Sequence, residues 1–217
     1  MTTNNTPSTI EGFVDAPKAL FIFAHGAGAD KSHQFMDNFS TLLNEQSINV
    51  VRFNFPYMDK RLVDGKKYPP NRMPILENCY KSLLEEYLIK NTLNLPVFIG
   101  GKSMGGRVAA TISKEQFEQV KGTVCIGYPF HPQKKPENLR LAPLQETVLP
   151  VLILQGDRDA LGSKEEIENY VISPLCELYY FEDGDHDLKP RVKSGFTHNQ
   201  HIKTAITQLL RFIDEKS

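Results

Sequence analysis

From residue 16 to the C-terminus, short apolar runs alternate with longer stretches whose apolar residues recur at helical spacing. Six runs read as strands: residues 19–24, 49–53, 96–100, 122–127, 150–155 and 177–181. All but the last are short, largely apolar runs, the pattern of strands covered on both faces. Between them, Phe35, Met36, Phe39, Leu42 and Leu43 make one amphipathic helix face. Ile75, Leu76, Cys79, Tyr80, Leu83, Leu84, Tyr87 and Leu88 make a second, with Pro74 suited to its first turn. Ile202, Ala205, Ile206, Leu209 and Ile213 make a third near the C-terminus. These stripes are core packing. Strand–helix alternation with no linker or internal repeat predicts one α/β domain over residues 9–217, a three-layer sandwich on a mostly parallel sheet. Residues 9–14 read as an added antiparallel edge strand and residues 1–8 as a disordered tail.

Two irregular stretches interrupt the alternation. Residues 56–73 carry Asp59 and Asp64 against Lys60, Arg61, Lys66, Lys67 and Arg72, and residues 128–148 are rich in Pro, Lys and Gln. Both follow strand ends on the side where open α/β sheets bind ligands, so they read either as substrate-selecting loops or as solvated connections. A cationic rim from Lys60, Arg61, Lys66 and Lys67 hints at anionic substrates.

Composition narrows the class. The 217 residues are 40% hydrophobic and 24% charged, enough for one sizeable core, and the net charge of −1 gives no global attraction to nucleic acid or anionic membrane. The N-terminal residues lack the basic start and apolar segment of a signal peptide, and no run approaches the roughly 20 apolar residues of a membrane span. Three widely spaced cysteines, Cys79, Cys125 and Cys176, read as buried thiols of a cytoplasmic protein.

Chemistry concentrates after the strand at residues 96–100. There Gly101-Lys102-Ser103-Met104-Gly105 joins a strand to a helix-compatible stretch, the context of a nucleophile elbow. A serine hydroxyl needs an adjacent base, itself oriented by a carboxylate, and in this arrangement both follow the nucleophile in the chain. Asp157 and Asp159 compete as the acid after the strand at residues 150–155; Asp159 is assigned, because the first Asp of such a turn more often braces it. Of the four histidines after Ser103, only His186 lies between the last strand and the C-terminal helix, and it is assigned as base. His131, His198 and His201 suit exposed or capping roles. The oxyanion needs two backbone N–H donors. Met104 supplies one, and the loop His25-Gly26-Ala27-Gly28 supplies the other, assigned to Ala27 with Gly28 as the fallback. Tyr57 and Lys102 are possible substrate-binding residues, Tyr57 with packing and Lys102 with a structural role as the alternative, and Arg107 is expected to pair with a carboxylate and pin the elbow.

Four segments in order, Phe23-Ala24-His25-Gly26-Ala27-Gly28, Gly100-Gly101-Lys102-Ser103-Met104-Gly105-Gly106-Arg107, Gln155-Gly156-Asp157-Arg158-Asp159 and Asp185-His186, together resemble the α/β-hydrolase superfamily. The set is most similar to a small dienelactone-hydrolase-like branch related to a subunit of the non-specific-lethal chromatin complex. The resemblance spans residue 19 to the C-terminus and implies the α/β-hydrolase fold and the triad Ser103, Asp159 and His186. Serine holds the elbow where dienelactone-type enzymes use cysteine. The short N-terminal segment implies a trimmed sheet of six or seven strands, and no insertion is long enough for a lid.

The pattern is incomplete for other chemistries. A phosphate-binding loop ending at Lys102-Ser103 would need glycine at Pro96, and Leu161 occupies a required ligand place of a calcium loop starting at Asp157. Asp183, Asp185, His186 and Asp187 form a short turn around the expected base rather than a metal site. The expected protein is a cytoplasmic serine hydrolase that needs no cofactor and cleaves an ester or thioester of a small acyl substrate, with no nucleic acid or membrane partner and its oligomeric state open. The alternative is a non-catalytic scaffold or binding protein on the same fold.

Overall fold

The computed structural model describes residues 7–217. In chain order it contains β1 (Thr9–Gly12), β2 (Ala19–Ala24), α1 (Gln34–Asn44), β3 (Ile48–Phe53), α2 (Pro56–Asp64), α3 (Met73–Lys90), β4 (Val97–Lys102) and α4 (Met104–Ile112). There follow β5 (Val120–Ile126), α5 (Ala142–Gln145), β6 (Val151–Gly156), α6 (Lys164–Ile167), β7 (Cys176–Phe181) and α7 (His198–Lys216). The seven strands lie in the order β1-β3-β2-β4-β5-β6-β7, with only β1 antiparallel to its neighbour.

Successive side chains of β2 point to opposite faces, and the two cores follow from that alternation. Phe21 and Phe23 pack with Met36 and Phe39 of α1 and Leu209 and Phe212 of α7. Leu20 and Ile22 pack with Leu76, Tyr80 and Leu83 of α3 and Val108 of α4. Each fully buried Phe or Leu contributes about 1.5–3 kcal/mol, so both faces of the sheet are anchored independently of the loops. A third cluster around Tyr128, Phe130, Leu144 and Ile153 fastens α5 and α6 beyond β5.

The order in which successive strands are added to the sheet reverses between the parallel neighbours β2 and β4. From β2 the chain turns into α1 and on to β3; from the adjacent β4 it turns into α4 and on to β5, on the opposite face. Such a switch point opens a crevice at the carboxyl ends of the two strands, where open α/β sheets bind ligands. Tyr80 braces it from below: its buried hydroxyl accepts from the Gly100 amide at 2.8 Å and donates to the Ile22 carbonyl at 2.5 Å, tying β4 to β2.

Several expectations change in detail. The stretch 56–73 is not wholly irregular, since α2 occupies its first half, and α5 forms within 128–148. Pro56 starts α2 and Gly65, at φ 69°, ends it in the left-handed region. Of the three cysteines, all free, only Cys125 is fully buried. Of the tail expected over residues 1–8, the first six lie outside the described residues; the Ser8 amide donates to Asp59 Oδ2 at 3.1 Å. Among the described residues no helix is long and apolar enough to cross a membrane, and no inserted layer covers the crevice.

Candidate active site

β4 ends in a turn that places Ser103 at φ 52° and ψ −116°, a conformation costly for any residue with a Cβ. Two features hold it there. The Ser103 amide donates to the Ile126 carbonyl of β5 at 2.8 Å. The helix that follows closes directly onto β2: a Cβ on Gly105 would sit 2.5 Å from the Ala24 carbonyl oxygen, and one on Gly101 would sit 2.4 Å from the Gly105 carbonyl carbon. Glycine at both positions is therefore a packing requirement, and it lets α4 aim its first amides at the crevice.

Three side chains from separate loops converge at this turn. Ser103 Oγ lies 2.8 Å from His186 Nε2, and His186 Nδ1 lies 2.8 Å from Asp159 Oδ2. Asp159 is fully buried, and its oxygens are committed: Oδ2 also accepts from Gln155 Nε2 at 2.9 Å, and Oδ1 accepts from the Leu161 amide at 2.8 Å. Gln155 Nε2 faces the Gly162 and Tyr128 carbonyls as well, so its amide group is fixed as a donor toward the carboxylate. An acceptor-only group against Nδ1 puts the ring proton there and leaves Nε2 as an acceptor toward the serine hydroxyl. Asp157, the competing acid, makes no side-chain hydrogen bond or ion pair among the described residues and lines a surface groove instead.

Opposite the serine, the loop after β2 is fixed by a buried histidine. His25 Nε2 accepts from the Phe55 amide at 3.1 Å, which makes Nδ1 the protonated nitrogen, donating to the Gly26 carbonyl at 2.7 Å. Burial pulls the His25 pKa down to about 4, so the ring stays neutral near pH 7. With the Gly26 carbonyl drawn toward His25, the Ala27 N–H of the same trans peptide points the opposite way. Neither the Ala27 nor the Met104 amide has a protein acceptor among the described residues. Tyr57 does not line the pocket; its buried hydroxyl donates to the Ala27 carbonyl at 3.0 Å and braces the same loop. The sequence pattern placed His25 and Tyr57 near the site without revealing this bracing.

The loop carrying His186 is held at three successive carbonyls. Lys102 Nζ donates to His186 O at 2.7 Å, His198 Nε2 contacts Asp187 O at 2.9 Å, and His201 Nδ1 contacts Leu188 O at 2.8 Å. Lys102 is 7% exposed, pairs with Asp187 at 3.2 Å, and has its pKa pulled below the usual lysine value by burial. It is thus a strut between the elbow and the His186 loop. His201 and His131 are buried, contrary to the exposed or capping roles expected of them; His131 sits 3.3 Å from Glu166. Arg107 finds no carboxylate among the described residues, and its Nε is buried without a partner. The acidic residues of the turn are likewise occupied: Asp183 pairs with Arg191 and Arg158, and Asp185 Oδ1 accepts from the Asp187 and Lys189 amides.

Beside Ser103 lies a pocket of about 300 Å³, walled by Ala27, Gly28, Phe35, Met36, Lys102 and His186. Its walls come from the β2–α1 loop, the first turn of α1 and the His186 loop. Neither 56–73 nor 128–148 contributes, so those stretches, with Lys60, Arg61, Lys66 and Lys67, do not shape it.

The model of a family described as alpha/beta hydrolase domain matches residues 17–214. Among solved structures, the chain is similar in fold to a dienelactone hydrolase from Anabaena variabilis, at 17% identity and a TM-score of 0.68, covering 94% of this chain and 90% of that one. It is similar to a putative alpha/beta hydrolase of unknown function from Agrobacterium tumefaciens, at 13% identity and a TM-score of 0.71, covering 96% and 92%. A lidless alpha/beta serine hydrolase from Xanthomonas campestris superposes at 14% identity and a TM-score of 0.66, covering 95% and 88%. With nearly its whole length matched, the chain belongs to the alpha/beta hydrolase domain family.

Proposed function

We propose that the protein is a serine hydrolase that cleaves an ester or thioester of a small acyl group through an acyl-enzyme. The observation that carries this reading is the unbroken relay of two 2.8 Å contacts from Ser103 Oγ through His186 to the buried Asp159. In the proposed reaction His186 Nε2 takes the Ser103 proton as Oγ attacks the carbonyl carbon, and Asp159 stabilises the imidazolium. The Ala27 and Met104 amides receive the oxyanion. His186 then gives the proton to the leaving oxygen or sulfur, and water releases the acyl group by the same steps reversed. The chemistry calls on no cofactor. The pocket size favours short acyl groups.

The test is pre-steady-state hydrolysis of p-nitrophenyl acetate. A burst of p-nitrophenol stoichiometric with protein, absent from Ser103→Ala, is expected from an accumulating acyl-enzyme. Turnover by wild type no faster than by Ser103→Ala would refute the reading and favour the non-catalytic scaffold.

A further inference from the structure

The small pocket at Ser103 has a larger neighbour. A second cavity of about 640 Å³ lies between α1 and α7, and the two share His33, Phe35 and Asp187 as common wall. That volume is within the range of small-molecule sites, and the two cavities adjoin along the shared wall. Asp187, the residue after His186, belongs to that common wall.

We propose that this second cavity is the binding site for the alcohol portion of the substrate, and that this portion is a hydroxyl-rich group of sugar-like chemistry. The inference rests on the serine-hydrolase reading and adds its substrate class. Two features support the chemistry. Gln34, Asn38, Asn199 and Thr41 present side chains that both donate and accept, matching hydroxyls, which do the same. Half-buried Phe35, stacked on Phe39, provides apolar contact at the junction of the two cavities, suited to the carbon skeleton of a sugar. The reaction balances as ester plus water giving acid plus alcohol. Ser103 Oγ bonds to the acyl carbon, the carbon–alkoxide bond breaks, the alkoxide takes the proton from His186 and leaves through the larger cavity, and water frees the acid.

Three esters sharing an acetyl group test it: p-nitrophenyl acetate, methyl 6-O-acetyl-glucopyranoside and cyclohexylmethyl acetate. The activated p-nitrophenyl ester has little need of remote binding energy, whereas the other two depend on it. The wild type is expected to prefer the sugar acetate over the cyclohexylmethyl ester by about tenfold or more in kcat/KM. Thr41→Trp, which fills the larger cavity, and Asn38→Leu, which removes an amide from it, should each lower sugar-acetate kcat/KM about tenfold. Both should leave p-nitrophenyl acetate within about twofold, which also reports that the variants fold. Preference for the cyclohexylmethyl ester, no turnover of the sugar acetate, or sugar-acetate turnover unmoved by both variants overturns the site while the hydrolase reading stands. A wild type inactive even on p-nitrophenyl acetate overturns the hydrolase reading and this inference with it.

Discussion

Replacing Asp159 by Asn changes one atom and inverts the logic of the site. Asp159 Oδ2 accepts from His186 Nδ1 and Gln155 Nε2, while Oδ1 accepts from the Leu161 amide. Asparagine has one acceptor oxygen, so its NH₂ must face donors on one side. Placed toward His186 and Gln155, it forces the imidazole into the tautomer with Nε2–H pointing at Ser103, and the base is lost. Placed toward Leu161, it opposes a backbone N–H at a fully buried position, an unsatisfied pair costing about 1–3 kcal/mol. The first arrangement keeps the Leu161 bond, and its catalytic penalty in the Ser-His-Asp template is about 10⁴ in kcat, or about 5 kcal/mol of transition-state stabilisation. The assay is steady-state hydrolysis of p-nitrophenyl acetate, with circular dichroism to confirm the fold. Asp157→Asn is the control and should stay within about twofold, because that side chain holds nothing. Retention of more than about a tenth of the activity in Asp159→Asn, or a large loss in Asp157→Asn, would refute the assignment.

Other consequences follow from the same geometry. Ser103→Gly should raise the unfolding free energy by about 1 kcal/mol while abolishing activity, since glycine relieves the strain at φ 52°; urea denaturation reads it, and a less stable variant contradicts it. His25, held near a pKa of about 4 against 6.5 unfolded, binds its proton more readily in the unfolded chain, so its stabilisation is lost as pH falls from about 6.5 toward 4. Wild type should therefore lose about 2 kcal/mol more than His25→Gln between pH 7 and pH 5, and equal losses would show that the ring is not buried neutral. Lys102→Met removes the strut under His186 O and should cut kcat about 10- to 100-fold with little change in KM; a rise in KM alone would make Lys102 a substrate contact instead.

The strands and the three convergent residues were legible because each follows from a local rule. Runs such as 19–24 and 150–155 announce strands buried on both faces, and Gly101-x-Ser103-x-Gly105 announces the elbow because no other residues fit that close approach. Helix α2 was missed because it buries only Tyr57 and Met58 and leaves Leu62 and Val63 exposed, so no apolar stripe forms. Its signals were the bracketing Pro56 and Gly65. The roles of His25, Tyr57 and Lys102 were hidden for a different reason: each holds a backbone group distant in sequence, the Phe55 amide, the Ala27 carbonyl and the His186 carbonyl, and composition carries no trace of such a contact. The same holds for the pocket walls, which depend on how α1 and α7 pack rather than on the loops that looked irregular.

The most direct test of the central claim is labelling with a fluorophosphonate probe, read by intact mass on wild type, Ser103→Ala and His186→Ala. One adduct is expected on the wild type and none on either variant, since only a serine paired with its base attacks phosphorus readily. No adduct on folded wild type, or an adduct that persists in Ser103→Ala, would contradict it.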